Sequence, residues 1–305
     1  MSNKKKENKK KDNIILIIID GLRKDRLGCY GSPKRGISPN IDKLARESRI
    51  FTRCYSVNNM TKPCFCAIYS GVHPLVTEIF MAENNRGLES KYETLAEYMK
   101  RTGYYTIAFD NLSAGWGNND WARKGFDKYM TIGKLNEVNN YAEDITKQFI
   151  ELEKKEPFFA VLHYYDTRRP FYHEKEDEKF LDNYSNAICY LDRYLGKIFD
   201  KYKDAKFIVT ADHGIELTED FICDNHGSLK EEIISIPLIT NLLDKGYEDN
   251  LFAQHNIRYL IDKDIKISNM IITADRTSTR ALKIITKNRK YTYLEVPDLL
   301  LKETK

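Results

Sequence analysis

The chain has 305 residues, 42% of them hydrophobic and 12% aromatic, with a formal net charge of +4. Such a length and composition suit one large globular domain with room for a small appendage, and they exclude general disorder. Residues 1–12 carry six lysines against Glu7 and Asp12, which accounts for the whole charge excess. The remainder is balanced and has no nucleic-acid-binding motif, so a disordered, solvated lysine tail at 1–12 is expected and a nucleic-acid partner is not.

The predicted elements begin with Asn13–Ile19, a continuous aliphatic run that reads as a strand buried on both faces. It is far shorter than the roughly 20 apolar residues that cross a bilayer, and no apolar leader follows the N-terminus. No membrane span and a cytoplasmic location are therefore expected. Helical patterns at Pro39–Ser48, Cys64–Ser70 and Ser90–Arg101 precede a second strand at Tyr104–Phe109. A helix at Asn136–Lys154, a strand at Phe158–His163, a helix at Lys175–Lys201, and strands at Phe207–Ala211 and Ile236–Thr240 follow. Strands alternating with helices predict an α/β fold with a mostly parallel central sheet. Ala281–Thr286 and Lys290–Leu294, flanking Lys287–Arg289, predict a small antiparallel hairpin. The domain boundaries expected are 13–275 for the main domain and 276–305 for the appendage.

Six cysteines in a chain this long, where no secretion signal is expected, do not suggest a disulfide framework. Cys64 and Cys66 lack zinc-knuckle spacing, and buried free thiols are expected.

In an open α/β sheet, ligands sit beyond the carboxyl ends of the strands. Asp20 directly follows the first strand, and Asp212-His213-Gly214 directly follows Phe207–Ala211. Thr61-Lys62-Pro63 leads into an apolar helix, whose N-terminus favours an anion. Singly, each has a plainer reading as a turn former, a strand terminator or a helix cap. Together they suggest a divalent metal held by two carboxylates and an imidazole beside an activated hydroxyl.

Longer blocks carry a resemblance. Asp20-Gly-Leu-Arg-Lys-Asp-Arg-Leu-Gly-Cys-Tyr-Gly31 and Ser38-Pro-Asn-Ile-Asp-Lys-Leu-Ala45 resemble the opening of sulfatase-like proteins of the alkaline phosphatase superfamily. Phe51–Ser56, Thr61–Cys64, Tyr69–Pro74, Asp212–Gly214, His226-Gly227, Glu231–Leu238 and the 280–293 segment match in order. The resemblance covers residues 13–295 and implies an alkaline phosphatase-like α/β/α sandwich. It also implies Asp20, Asp212 and His213 as metal ligands, with Thr61 as a further ligand and the nucleophile.

The departures from that family shape the expected chemistry. Sulfatases convert the first residue of a Cys/Ser-x-Pro-x-Arg motif to formylglycine, whereas this chain has Thr61 there and Phe65 at the arginine. Threonine cannot become that aldehyde. A phosphoester hydrolase or transferase passing through a phosphothreonine is the leading expectation, with a small soluble substrate. The alternatives are a sulfuric ester hydrolase without formylglycine and a catalytically silent binding protein. Gly21 stands where sulfatases tend to have a second acid, which leaves two carboxylates and one imidazole for the one divalent ion expected. Zinc or manganese suits the mixed nitrogen and oxygen set better than magnesium or calcium, which are also considered. Relatives commonly show Asp-x-His-x-Pro where this chain has Asp166-Thr-Arg168-Arg-Pro170. Arg168 is expected to supply charge in place of a second ion, or else to form a solvated pair with Arg169. His226 is the expected group facing the leaving oxygen, and Lys230 could add charge. His163 reads as a buried strand-end residue, His73 as a turn residue, and His173 and His255 as surface positions.

Overall fold

The computed structural model describes residues 10–80, 87–110, 120–132, 142–217 and 228–262. For 271–274, 281–285 and 291–295 it describes the backbone alone. Thirteen strands appear among these residues. In chain order they are β1 (Ile14–Ile19), β2 (Arg49–Phe51), β3 (Cys54–Tyr55), β4 (Tyr105–Asp110), β5 (Lys128–Thr131) and β6 (Phe158–Tyr164). Then come β7 (Lys206–Ala211), β8 (Leu238–Thr240), β9 (Gly246–Glu248), β10 (Phe252–Ala253), β11 (Ile271–Ala274), β12 (Ala281–Ile285) and β13 (Tyr291–Glu295).

The main sheet has the order β5-β4-β6-β1-β7-β8-β2-β9. Only β8 runs against its neighbours, pairing antiparallel with β7 and with β2. β1 lies at the centre between β6 and β7, parallel to both, which explains why every residue of Ile14–Ile19 is buried. Parallel strands need crossovers that cover both faces, so their side chains see no water. The apolar runs read from the sequence are these central strands. The short strands β2, β3, β5, β9 and β10 lack such runs and are held by their neighbours.

Helices cover the sheet. Asn183–Lys201 is the longest, and its N-cap Asp182 accepts a hydrogen bond from the Ser185 amide. Leu95–Arg101 opens with a complete capping box between Thr94 and Glu97. The helix placed at Cys64–Ser70 begins three residues earlier, so Thr61 is its first residue and Met60 its cap. β11, β12 and β13 form a separate antiparallel sheet in which the expected hairpin gains a third strand. No helix among the described residues is long and apolar enough to cross a membrane.

The expected lysine tail lies largely outside the described residues. Lys10 pairs with Glu156 at 2.8 Å, and Lys11 donates to the Thr102 carbonyl.

Candidate active site

Register brings four chemistry-bearing residues to one edge of the sheet. β1 ends at Ile19 beside Ala211 of β7, so Asp20 and Asp212 emerge side by side. His163 of β6 lies level with Ile18 of β1 on one side and with Asp110 of β4 on the other. Thr61 is delivered from the first turn of the helix Thr61–Ser70.

The Thr61 hydroxyl donates to Asp20 Oδ2 at 2.9 Å and lies 3.3 Å from His213 Nε2. His213 Nδ1 faces the Gly214 carbonyl at 2.8 Å. A carbonyl oxygen can only accept, so the ring proton sits on Nδ1 and the Nε2 lone pair points into the site, as a metal-ligating imidazole requires. Asp212 Oδ1 accepts from the backbone amides of Gly21 at 3.1 Å and His213 at 2.7 Å. Those bonds aim Asp212 Oδ2 inward, 3.3 Å from His213 Nε2. Gly214 is required where it stands: a Cβ there would lie 2.0 Å from the Glu232 carbonyl oxygen.

Ligand atoms of Asp20, Asp212 and His213 all lie within 4.8 Å of one another, and all three residues are buried. Asp20 Oδ1 and Asp212 Oδ2 have no hydrogen-bond donor among the described residues. Burial, followed by the Asp20 carboxylate, pushes Asp212 above the usual carboxylate range. Two crowded carboxylates whose inward oxygens accept no hydrogen bond among the described residues, beside an inward imidazole lone pair, form a donor set that fits a divalent cation.

Arg168, which the sequence left between a site residue and a solvated pair, is buried, with Nη1 3.4 Å from Asp20 Oδ1. Asp166 takes a structural task. Its Oδ1 accepts from the Ala142 amide at 2.8 Å, at the start of the helix Ala142–Glu151, and burial raises it to about 7. Lys230 is half exposed and ion-pairs with Glu216. His226 lies outside the described residues. Phe65, at the position of the motif arginine, packs on the His163 ring with centroids 4.5 Å apart.

Sequence reasoning missed three members of the site. His163 is buried as expected, yet its Nε2 is 3.9 Å from Asp20 Oδ2, and its Nδ1 is 2.8 Å from Asp110 Oδ1. Burial alone would lower its pKa. The hydrogen bond and charge of Asp110, with Asp20 and Asp212 beyond, outweigh burial and raise it. Asp110 was the second. Its partner can be found only by knowing that β4 and β6 are neighbours. Gln254, fully buried, was the third. Its Nε2 donates to the carbonyls of Asp212 at 2.6 Å and Ala211 at 3.2 Å, while its Oε1 accepts from the Val57 amide at 3.2 Å. It ties the β7 end to the loop before Thr61. The surface placement of His255 is corrected: it is 6% exposed, packs edge-on to His73, and burial lowers it to about 4. His255 read as a surface position because its packing partner, His73, is distant in sequence.

The described cysteines Cys29, Cys54, Cys64, Cys66 and Cys189 are free thiols. Cys64 Sγ donates to the Asn58 carbonyl at 3.2 Å, and burial holds this thiol well above its ordinary pKa. The intact mass of the native protein is expected to equal the unmodified chain, allowing for loss of Met1. A mass deficit on a peptide carrying Cys64 or Cys66, as conversion of a thiol to an aldehyde leaves, contradicts this.

Comparison with known proteins supplies the family. The family model described as Sulfatase matches residues 12–248. Iduronate 2-sulfatase of Mus musculus is 35% identical over 207 residues, covering 55% of this chain and 37% of that protein. N-acetylgalactosamine-6-sulfatase of Homo sapiens is 22% identical over 247 residues, covering 63% of this chain and 47% of that protein. The chain thus spans less than half the length of these curated relatives. Among solved structures, one from work on glycosaminoglycan metabolism by Bacteroides thetaiotaomicron superposes with a TM-score of 0.72 at 18% identity, covering 91% of this chain and 86% of the other. The phosphonate monoester hydrolase of Agrobacterium radiobacter gives 0.68 at 14% identity, covering 93% and 89%. These confirm the alkaline phosphatase-like α/β fold. They also correct the expected chemistry: the relatives in sequence are sulfatases by name, which overturns the phosphoester reading. That reading had rested on Thr61 alone.

Proposed function

We propose that this chain, which belongs to the sulfatase family, hydrolyses a sulfuric ester at the Asp20–Thr61–Asp212–His213 cluster without a formylglycine. The observation that carries the reading is the match to the sulfatase family over residues 12–248, which includes all four cluster residues. Within it the Thr61 hydroxyl is committed to Asp20 Oδ2 and part-buried at the mouth of the buried cluster.

Thr61 Oγ1 spends its proton on Asp20 and so presents a lone pair to the site. A threonyl sulfate has no second hydroxyl with which to expel sulfate, so single displacement by water suits this residue better than a covalent intermediate. Thr61 Oγ1 orients the attacking water by accepting one of its hydrogens. The water oxygen bonds to sulfur and the ester S–O bond breaks. One water proton ends on the departing alcohol and the other is released, with Asp20 Oδ2 as its first acceptor through Thr61. The positive end of the helix Thr61–Ser70 faces the sulfate oxygens. A divalent cation held by Asp20, Asp212 and His213, with zinc or manganese favoured by the imidazole, would supply electrophilic charge to those oxygens when bound. Sulfated saccharides are the substrate class suggested by the iduronate and N-acetylgalactosamine sulfatases among the relatives.

The test is an ester panel run with Mn²⁺ or Zn²⁺: p-nitrophenyl sulfate, a sulfated disaccharide, p-nitrophenyl phosphate and phenylphosphonate. Turnover of a sulfate ester above the phosphorus esters is expected. Turnover confined to phosphorus esters, or absent throughout, overturns the proposal.

A further inference from the structure

Arg168 and Gly21 occupy one space. A Cβ built on Gly21 would lie 2.9 Å from Arg168 Cδ and 3.7 Å from its Nη1, and Gly21 itself has φ +72°. The arginine lies across the glycine, 6% exposed, and its Nη1 faces Asp20 Oδ1 at 3.4 Å. That oxygen is one of the two bare carboxylate atoms that make the cluster fit a cation. The guanidinium and an incoming cation therefore address the same carboxylate. Water is excluded from this region, since Asp20, Asp212 and His213 are fully buried, so the positive charge of Arg168 is poorly screened from the cluster. Arginine does not lose its proton in a protein, so the charge is permanent.

We propose that Arg168 is a built-in counter-ion of the acidic cluster, seated there by the missing side chain of Gly21, and that it holds down the affinity of the cluster for its divalent cation. Loading of the site is then governed by the free cation concentration rather than fixed by tight binding. Arg168 acts on the cation through Asp20, and so is a positioning residue whose effect is read in binding. The inference rests on the proposed function only in taking the cluster as a cation site, and it is independent of which ester is cleaved.

The experiment is calorimetric titration of chelator-treated, full-length protein with Mn²⁺ alone. Arg168→Met is expected to bind Mn²⁺ at least about tenfold more tightly than wild type, because a unit charge repelling the cation is removed. Arg168→Lys keeps the charge and is expected to stay close to the wild-type affinity. Equal or weaker binding by Arg168→Met overturns the proposal. Should that variant fail to fold, Gly21→Ala reads the same contact from the other side. Its Cβ displaces the arginine stem from Asp20 and adds no ligand atom to the cluster. Tighter Mn²⁺ binding by Gly21→Ala is expected, and an unchanged affinity overturns the proposal. Tightening without hydrolysis of any sulfate ester leaves this inference standing and removes only the ester reading. Failure of wild type and all three variants to take up Mn²⁺ removes both.

Discussion

Asp212→Ala is expected to lose divalent-cation binding by at least about 100-fold, since even the outer partners of a metal ligand are worth 10–100-fold in affinity, and sulfate ester turnover goes with it. The carboxylate contributes in two ways. Its Oδ2 is one of the two bare oxygens of the cluster, and its Oδ1 fixes the amides of Gly21 and His213. Alanine removes the ligand and leaves both amides without their acceptor. Asp212→Asn separates these roles. The amide oxygen keeps the two backbone bonds, while the uncharged amide nitrogen takes the place of Oδ2 beside the lone pair of His213 Nε2 and relieves the repulsion from the Asp20 carboxylate. In the presence of chelator, the melting temperature of Asp212→Asn is expected to exceed that of the wild type even though the cation is lost. Calorimetric titration and thermal melting check the two halves. Retained cation binding in Asp212→Ala would remove Asp212 from the cluster.

Thr61→Ala is expected to lower kcat for a sulfate ester by about 10²–10³-fold, the scale of losing one preorganised hydrogen-bonding group at a reacting centre. The circular dichroism spectrum should be unchanged, because position 61 opens its helix without a side-chain capping bond from Met60 and the rest of the helix is buried. Thr61→Ser keeps the hydroxyl and is expected to retain most of the rate. Acid-quenched mass spectrometry distinguishes single displacement from a covalent route. No sulfate should be found on Thr61, and its appearance there would replace the water-orienting role with a nucleophilic one. Full activity of Thr61→Ala would exclude both.

The parts of the site that follow an apolar run are legible in the sequence. Asp20 and Asp212-His213 end strands whose burial on both faces leaves no alternative to a central position, and strand ends in such sheets face ligands. Arg168 was legible as a departure from a motif, although its partner was not. Asp110 and His163 could not be paired from sequence. They lie 53 positions apart, and only the adjacency of β4 and β6 makes them neighbours. Gln254 gives no local signal at all, because a buried glutamine and a solvated one look alike until the backbone groups it bridges are known. The chemistry was misjudged for a related reason. One atypical residue at the nucleophile position was given more weight than the many blocks surrounding it, and those blocks match the sulfatase family from residue 12 to 248.

The bridge made by Gln254 bears on the order in which the protein matures. Its bond to the Val57 amide closes a loop of 197 residues, whereas its bond to the Asp212 carbonyl spans 42. Gln254 is synthesised after Asp212, and closing so long a loop to Val57 carries an entropic cost of its own. A nascent chain that has passed Asp212 but not yet Gln254 already has both carboxylates and the imidazole. It lacks the clamp that sets the Thr61 loop against them. Cation loading is therefore expected to follow synthesis of Gln254, and chains arrested between these two residues are expected to bind Mn²⁺ more weakly than the full chain even where the central strands have already paired.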